Sequence, residues 1–189
     1  RVRTPDSYRL TPQELVAGFA DDLEKQIRDI ENHGEKLAAF VVDSMFSSDG
    51  VFSHPTELLA PVIDLVHRAG GVFIADEVQP GFARTGETMW GFQRHGLVPD
   101  IVAMGKPMGN GLPIAGVVTR PDLLARFAES FGYFNTFGGN PVTSAAALAA
   151  PGRVAQSLDL RVRQPGATMP TFANDLAAPH QHRAHARVR

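Results

Sequence analysis

Four short apolar runs, separated by segments with helical periodicity, constrain the fold of this chain most strongly. The runs read KLAAFVVD, GVFIAD, DIVAMG and IAGVVT, and none of them alternates polar with apolar residues. Strands of this kind are typical of parallel sheets that are covered on both faces, because their connections are helices. We therefore predict an α/β fold with a mostly parallel sheet covered by helices.

The segments around these runs carry helix signals. Thr11-Pro12-Gln13-Glu14 is a capping box with proline at the first helical position, which predicts that a helix begins there. Apolar residues then recur every three to four positions, at Leu15, Phe19, Leu23, Ile27 and Ile30. The segment TELLAPVIDLVHRAGG predicts a second helix, which Pro61 either bends or delays, and RPDLLARFAES predicts a short third one.

Composition excludes several classes of function. The 189 residues include no cysteine, so disulfides, thiolate nucleophiles and thiolate zinc sites are excluded. The net charge of −2 gives no reason to expect nucleic acid or an anionic membrane as a partner. No apolar run is long enough to span a bilayer, and RVRTPDSYRL lacks the apolar core of a signal peptide. We expect a cytoplasmic protein.

The last 39 residues differ from the rest. Residues 151–189 are rich in proline, arginine and histidine and have no sustained helical or strand period. We expect a folded domain over 1–150 and an irregular tail over 151–189, either disordered or out of frame. The tail histidines His180, His182 and His185 lack a fixed scaffold, so we predict no specific metal site.

Asp76 and Lys106 each follow the end of a predicted buried strand. Ligands of parallel sheets collect at the carboxyl ends of the strands, so both residues are candidates for chemistry. Other motifs fail here. Pro107 follows Gly105-Lys106 where a nucleoside-triphosphate loop needs Ser or Thr, and GNGLPIAG precedes a strand instead of opening a helix, as a dinucleotide fingerprint would.

A lysine and an aspartate at adjacent strand ends suit one cofactor. A positioned, partly desolvated lysine amine is a nucleophile towards aldehydes and forms a Schiff base with them. Pyridoxal phosphate offers such an aldehyde, and its ring accepts electrons while the ring nitrogen stays protonated. An aspartate facing that nitrogen favours the protonated form. Lys106 and Asp76 are therefore the minimum set for this cofactor.

Three stretches of the chain resemble a known family. VFIADEVQPGFARTG, DIVAMGKPMGNG and YFNTFGGNPV are similar to segments of the class III pyridoxal-phosphate-dependent aminotransferases. The residues of these stretches are similar to those of the alanine–glyoxylate aminotransferase-like branch, which also contains phospholyases. The resemblance covers residues 5–150. It implies that residues 1–150 are part of the cofactor-binding large domain of fold type I.

The resemblance also implies roles for individual residues. Lys106 would form the internal aldimine and move the proton between the substrate carbon and the cofactor's aldehyde carbon. Asp76 would pair with the pyridine nitrogen, and Gln79 would lie near the ring hydroxyl. Thr136 would bind the phosphate of the cofactor in the partner subunit of a homodimer. The reaction would be a two-stage transfer of an amino group from an amine or amino acid to an oxo acid.

The resemblance implies a longer chain than this one, so we expect a truncated fragment. Its phosphate-binding cup, ring-stacking aromatic residue and small domain would lie elsewhere. Asp43 stands where many relatives have glutamate, so we do not count it as a site residue. Two alternatives to a transaminase stay open: a pyridoxal-phosphate-dependent lyase such as a phospholyase, and a non-catalytic remnant.

Overall fold

The computed structural model describes residues 1–150 of the chain. Its helices and strands, in chain order, are α1 (Pro12–Asn32), β1 (Ala39–Val42), α2 (Ala60–Arg68), β2 (Val72–Asp76), β3 (Ile101–Met104), β4 (Gly116–Thr119) and α3 (Pro121–Ser130). The sheet order is β1-β2-β3-β4; β1, β2 and β3 are parallel, and β4 is antiparallel to β3. The prediction of an α/β fold with a mostly parallel sheet is confirmed.

The predicted capping box begins α1. The Glu14 backbone N–H donates to Thr11 Oγ1 over 3.3 Å, and the Thr11 backbone N–H donates to Glu14 Oε2 over 2.9 Å. These two bonds satisfy N–H groups that have no partner inside the helix. The apolar stripe then buries Leu15, Phe19, Leu23 and Ile27.

Pro61 delays the start of α2 and does not bend it. The proline lies in the first turn of α2, where its missing N–H removes no hydrogen bond of the helix. His67 and Arg68 occupy the last turn, where basic side chains interact favourably with the helix dipole. The helix buries Val62, Ile63 and Val66.

The main apolar core lies between α1, α2 and one face of the sheet. On β2, Phe73 and Ala75 are fully buried in this core, whereas Ile74 and Asp76, on the opposite face, are only half-buried. Side chains alternate between the two faces along a strand. Asp76 therefore lies on the more open face at the end of β2, while the next residue continues the core face.

The division at residue 150 stays a prediction, because the tail 151–189, with His180, His182 and His185, lies outside the described residues. Within residues 1–150, no cluster of three or more His, Asp or Glu side chains could hold a metal ion. In the same part of the chain, no helix is long and apolar enough to cross a membrane.

Candidate active site

The ends of β2 and β3 bring the two predicted site residues to the same edge of the sheet. Asp76 is in register with Ala103, and Lys106 follows Ala103 by three residues. The Glu77 backbone N–H donates to the Ala103 carbonyl over 2.8 Å and extends the pairing of the strands by one bond. The parallel register, which the sequence did not specify, thus places Asp76 beside the segment that ends in Lys106.

The Asp76 carboxylate is oriented by its own turn. Its Oδ1 accepts the Val78 backbone N–H over 3.0 Å. Within residues 1–150 no donor bonds Oδ2, and this atom is not among the buried polar atoms without a partner, so it reaches the surface. One oxygen therefore fixes the carboxylate, and the other is left without a hydrogen bond within residues 1–150.

Lys106 lies two residues after the last residue of β3 and has an unusual conformation. It begins a 3-10 turn, Lys106–Gly109, and has a φ of +29°, which is rare for a residue with a side chain. Strained backbone of this kind clusters at active sites. Its side chain is exposed, and none of the ion pairs within residues 1–150 includes it. The amine is free to meet a ligand.

Gln79 lies in the turn that follows β2, three residues after Asp76, and is half-buried. The same turn contacts the approach to Lys106: a Cβ placed on Gly105 would lie 3.5 Å from Cγ1 of Val78. The turn that carries Asp76 and Gln79 therefore packs directly against the residue that precedes Lys106.

Thr136 is not part of this group in the described chain. It is exposed, in a stretch, 131–140, in which every residue is exposed. The Asn135 Oδ1 accepts the backbone N–H groups of Phe137 and Gly138 over 3.0 and 3.1 Å and so shapes a turn around Thr136. No hydrogen bond within residues 1–150 connects Thr136 to Asp76 or Lys106.

A buried carboxylate, Glu77, lies behind the site, and the sequence analysis missed it. Its side chain is fully buried. Oε2 accepts the Gly91 backbone N–H over 2.7 Å, Oε1 accepts that of Phe92 over 2.9 Å, and the Ser44 hydroxyl donates to Oε1 over 3.5 Å. Burial raises the pKa of Glu77 to about 7, against these hydrogen bonds, and the charge of Asp43 adds to the increase.

His95 is buried beside this cluster, at the end of the 3-10 turn Gly91–His95. Its Nδ1 lies 2.7 Å from the Thr56 carbonyl oxygen and its Nε2 lies 2.9 Å from that of Ser44. Burial lowers the pKa of His95, although both carbonyls favour the charged ring. The imidazole thus connects the turn after β1 with the segment before α2.

Two further residues, Trp90 and Asp43, have structural roles. Trp90 packs edge-on against Phe82, with ring centroids 5.1 Å apart. Asp43 accepts the backbone N–H groups of Met45 and Ser47 over 2.8 and 3.0 Å, which stabilises the turn after β1.

Asp100 is a second buried acid that the sequence did not single out. It lies just before β3, so it is at the opposite end of the sheet from Lys106. Its Oδ2 accepts the Phe73 backbone N–H over 2.7 Å and contacts His67 Nε2 at 2.9 Å, and its Oδ1 accepts from Arg120. Asp100 ties the start of β2 to α2 and α3, far from the candidate site.

A model of the family described as aminotransferase class-III matches residues 3–183. The mitochondrial alanine–glyoxylate aminotransferase 2 of Homo sapiens is 44% identical over 141 residues, which are 75% of this chain and 26% of the relative. The alanine–glyoxylate aminotransferase 2-like protein of Drosophila melanogaster is 43% identical over 137 residues, 72% of this chain and 28% of the relative. The chain thus spans under a third of the length of these relatives.

Solved structures agree with these relatives. A phospholyase from Arthrobacter in complex with phosphoethanolamine superimposes with a TM-score of 0.74 at 39% identity, over 83% of this chain and 37% of that one. The likeness confirms the predicted fold type I transferase architecture, present here in part.

Proposed function

Because the chain belongs to the class-III aminotransferase family, which uses pyridoxal 5′-phosphate, we propose that it holds this cofactor at the ends of β2 and β3 for amino-group transfer. The donor would be an amine or amino acid and the acceptor an oxo acid. The observation that supports this most directly is the register of β2 and β3, which places Asp76 beside Ala103, three residues before Lys106, at the same edge of the sheet.

The residues present fit the cofactor. When bound, pyridoxal phosphate supplies an aldehyde that reacts with amines and a ring that accepts electrons from the substrate carbon. Oδ2 of Asp76 would accept the ring N–H, and Gln79 would lie near the ring hydroxyl. Lys106 Nζ would meet the aldehyde carbon. Thr136, which is exposed, would reach the phosphate held by a second copy of the chain.

Each side chain then has a defined part in the transfer. The Val78 N–H fixes Asp76 so that its second oxygen keeps one direction, which lowers the cost of binding. Lys106 Nζ, in its neutral form, would take the proton from the substrate carbon and return it to another carbon within reach.

A lyase is the second candidate, because the phospholyase from Arthrobacter, which binds phosphoethanolamine, is 39% identical to the chain. Both activities would use Lys106 and Asp76. An elimination would release inorganic phosphate from phosphoethanolamine, whereas amino transfer would convert an added oxo acid to an amino acid. Assays of both products with the same preparation separate the two.

Titration with pyridoxal 5′-phosphate, followed by absorbance of the bound cofactor, tests the proposal. The chain has three lysines, Lys25, Lys36 and Lys106, so each can be replaced in turn. We expect Lys106→Ala to abolish the saturable signal, and Lys25→Ala and Lys36→Ala to retain it. An equal loss in all three variants, or no saturable signal in the wild type, would contradict the proposal and favour the non-catalytic remnant.

Homodimerisation and a cytoplasmic location are also part of the proposal. The exposure of Thr136, in a stretch in which every residue is exposed, supports a site completed by a second copy. Sedimentation of the 189-residue chain with and without pyridoxal phosphate tests the dimer. Imaging of a tagged chain in its own cells tests the location, since one of the relatives is mitochondrial.

A further inference from the structure

We propose that Glu77 is a positioning residue, which fixes the turn that carries Asp76 and Gln79 by binding the segment Trp90–Phe92 and Ser44. This inference rests on the proposed function, because it assigns Asp76 and Gln79 to the cofactor. Glu77 does not touch the open face itself; it acts through the turn.

Glu77 is held at both its backbone and its side chain. Its backbone N–H donates to Ala103 on the neighbouring strand, and its carbonyl accepts the Gly81 N–H over 3.1 Å, which closes the turn after β2. Its side chain extends to the core face, opposite to Asp76. Movement of Glu77 would therefore move Asp76, its immediate neighbour, and the turn that contains Gln79.

The carboxylate is bound from two distant segments. Gly91 and Phe92 donate their backbone N–H groups from 14 and 15 residues along the chain, and Ser44 donates its hydroxyl from 33 residues before. A fully buried carboxylate costs free energy unless such donors satisfy it. A glutamate at this position therefore fixes one arrangement of the three segments in preference to all others.

Two glycines allow this close packing. A Cβ on Gly91 would lie 2.2 Å from Ser44 Oγ and 2.7 Å from Cβ of Pro80, and one on Gly81 would lie 2.6 Å from the Glu77 carbonyl oxygen. Real side chains do not approach so closely, so the segments meet at backbone distance. The geometry leaves no room for the turn after β2 to shift towards the segment Trp90–Phe92.

The same segment also packs near Lys106. Trp90 belongs to a small cluster with Phe82 and Met89, against which Met104 and Met108 pack. Those two methionines lie two residues before and two residues after Lys106. The segment that binds Glu77 thus supports both halves of the site, the turn with Asp76 and the turn with Lys106.

Amide hydrogen exchange of the ligand-free, full 189-residue chain tests the proposal without the cofactor. The reporter is the Val78 N–H, which donates to Asp76 Oδ1 and so measures how firmly this carboxylate is held. We expect Glu77→Gln to accelerate exchange at Gly91, Phe92 and Val78 by about tenfold or more, because one of the two accepting oxygens becomes an NH2 group, which would face an N–H donor.

Asp100→Asn is the matched control, since it changes a buried acid that also accepts a backbone N–H, at the other end of the sheet. It should accelerate exchange at Phe73 and leave Val78 unchanged. If Val78 stays protected in Glu77→Gln, or if both variants accelerate exchange equally throughout β2 and β3, Glu77 is only a structural residue and the proposal is wrong. Ser44→Ala, which removes one donor, replaces Glu77→Gln if that variant does not fold.

Measurements of pyridoxal phosphate affinity then test whether the turn affects the proposed function. If Glu77 acts through Asp76, Glu77→Gln should weaken pyridoxal phosphate binding in the wild type and have little further effect in Asp76→Asn. These variants form a double-mutant cycle. If the losses of binding free energy caused by Glu77→Gln and Asp76→Asn add fully in the double variant, the positioning role is overturned. Absence of binding in every variant would contradict the proposed function, while the exchange experiment would still decide whether Glu77 holds the turn.

Discussion

At the scale of single residues, Glu77 makes stability depend on pH. Its pKa is raised from 4.5 to about 7 in the folded chain, so between these values the folded chain keeps a proton that the unfolded chain has released. The contribution of Glu77 to stability is therefore full below pH 4.5 and falls until pH 7, by about 3 kcal/mol at most.

We expect the free energy of unfolding of the wild type, relative to that of Glu77→Gln, to fall as the pH rises from 4.5 to 7. Denaturant unfolding of both proteins at several pH values measures this difference. His95 acts in the opposite direction, because its lowered pKa costs stability as the pH falls, but both proteins share it. Parallel stability curves for the two proteins would contradict the assignment.

At the scale of elements, the packing of the 3-10 turn Gly91–His95 on β2 depends on Gly91. We expect Gly91→Ala to destabilise the fold by about 1–3 kcal/mol, as overpacking does, since the new methyl group would overlap Ser44 and Pro80. The measurement is the free energy of unfolding in denaturant.

Gly18→Ala is the matched glycine variant. Gly18 lies inside α1, and a Cβ there would meet nothing within 4 Å, so alanine should stabilise α1 by about 0.5–1 kcal/mol. Changes of opposite sign in the free energy of unfolding of the two variants would support the close packing at Gly91. Destabilisation by Gly18→Ala as large as that by Gly91→Ala would argue against it.

At the scale of the whole molecule, cofactor binding and folding are linked. A ligand that binds only the folded state adds about 2.7 kcal/mol of stability at a free concentration of 100 times its Kd. We expect pyridoxal 5′-phosphate to raise the midpoint of thermal unfolding of the wild type. The midpoint of Lys106→Ala should rise much less, because this variant keeps the contact of Asp76 with the cofactor ring but loses the amine that reacts with the aldehyde.

Pyridoxine 5′-phosphate, which has an alcohol in place of the aldehyde, is the ligand control for this measurement. It should raise the midpoint equally in the wild type and Lys106→Ala, because neither protein can react with it. A shift by pyridoxal 5′-phosphate that is unchanged in Lys106→Ala would locate the binding elsewhere on the molecule.

The sequence by itself determined most of the elements and singled out two candidate site residues. The capping box at Thr11, the apolar stripe of α1 and the apolar runs of β1, β2 and β3 follow from local patterns, which depend only on neighbouring residues. Asp76 and Lys106 were predicted because each lies at the carboxyl end of a predicted strand. Gln79 and Thr136 came from the resemblance alone, and their roles stay predictions.

Only the tertiary structure decided how these pieces meet. The antiparallel pairing of β4, the register that places Asp76 beside Ala103, and the path that brings Gly91 and Phe92 to Glu77 all depend on contacts between residues distant in the chain. Alternation along β2 could have indicated that Glu77 faces the core, but not which donors it would find there. Local sequence sets which face a side chain takes, whereas its partners depend on how the loops close and pack.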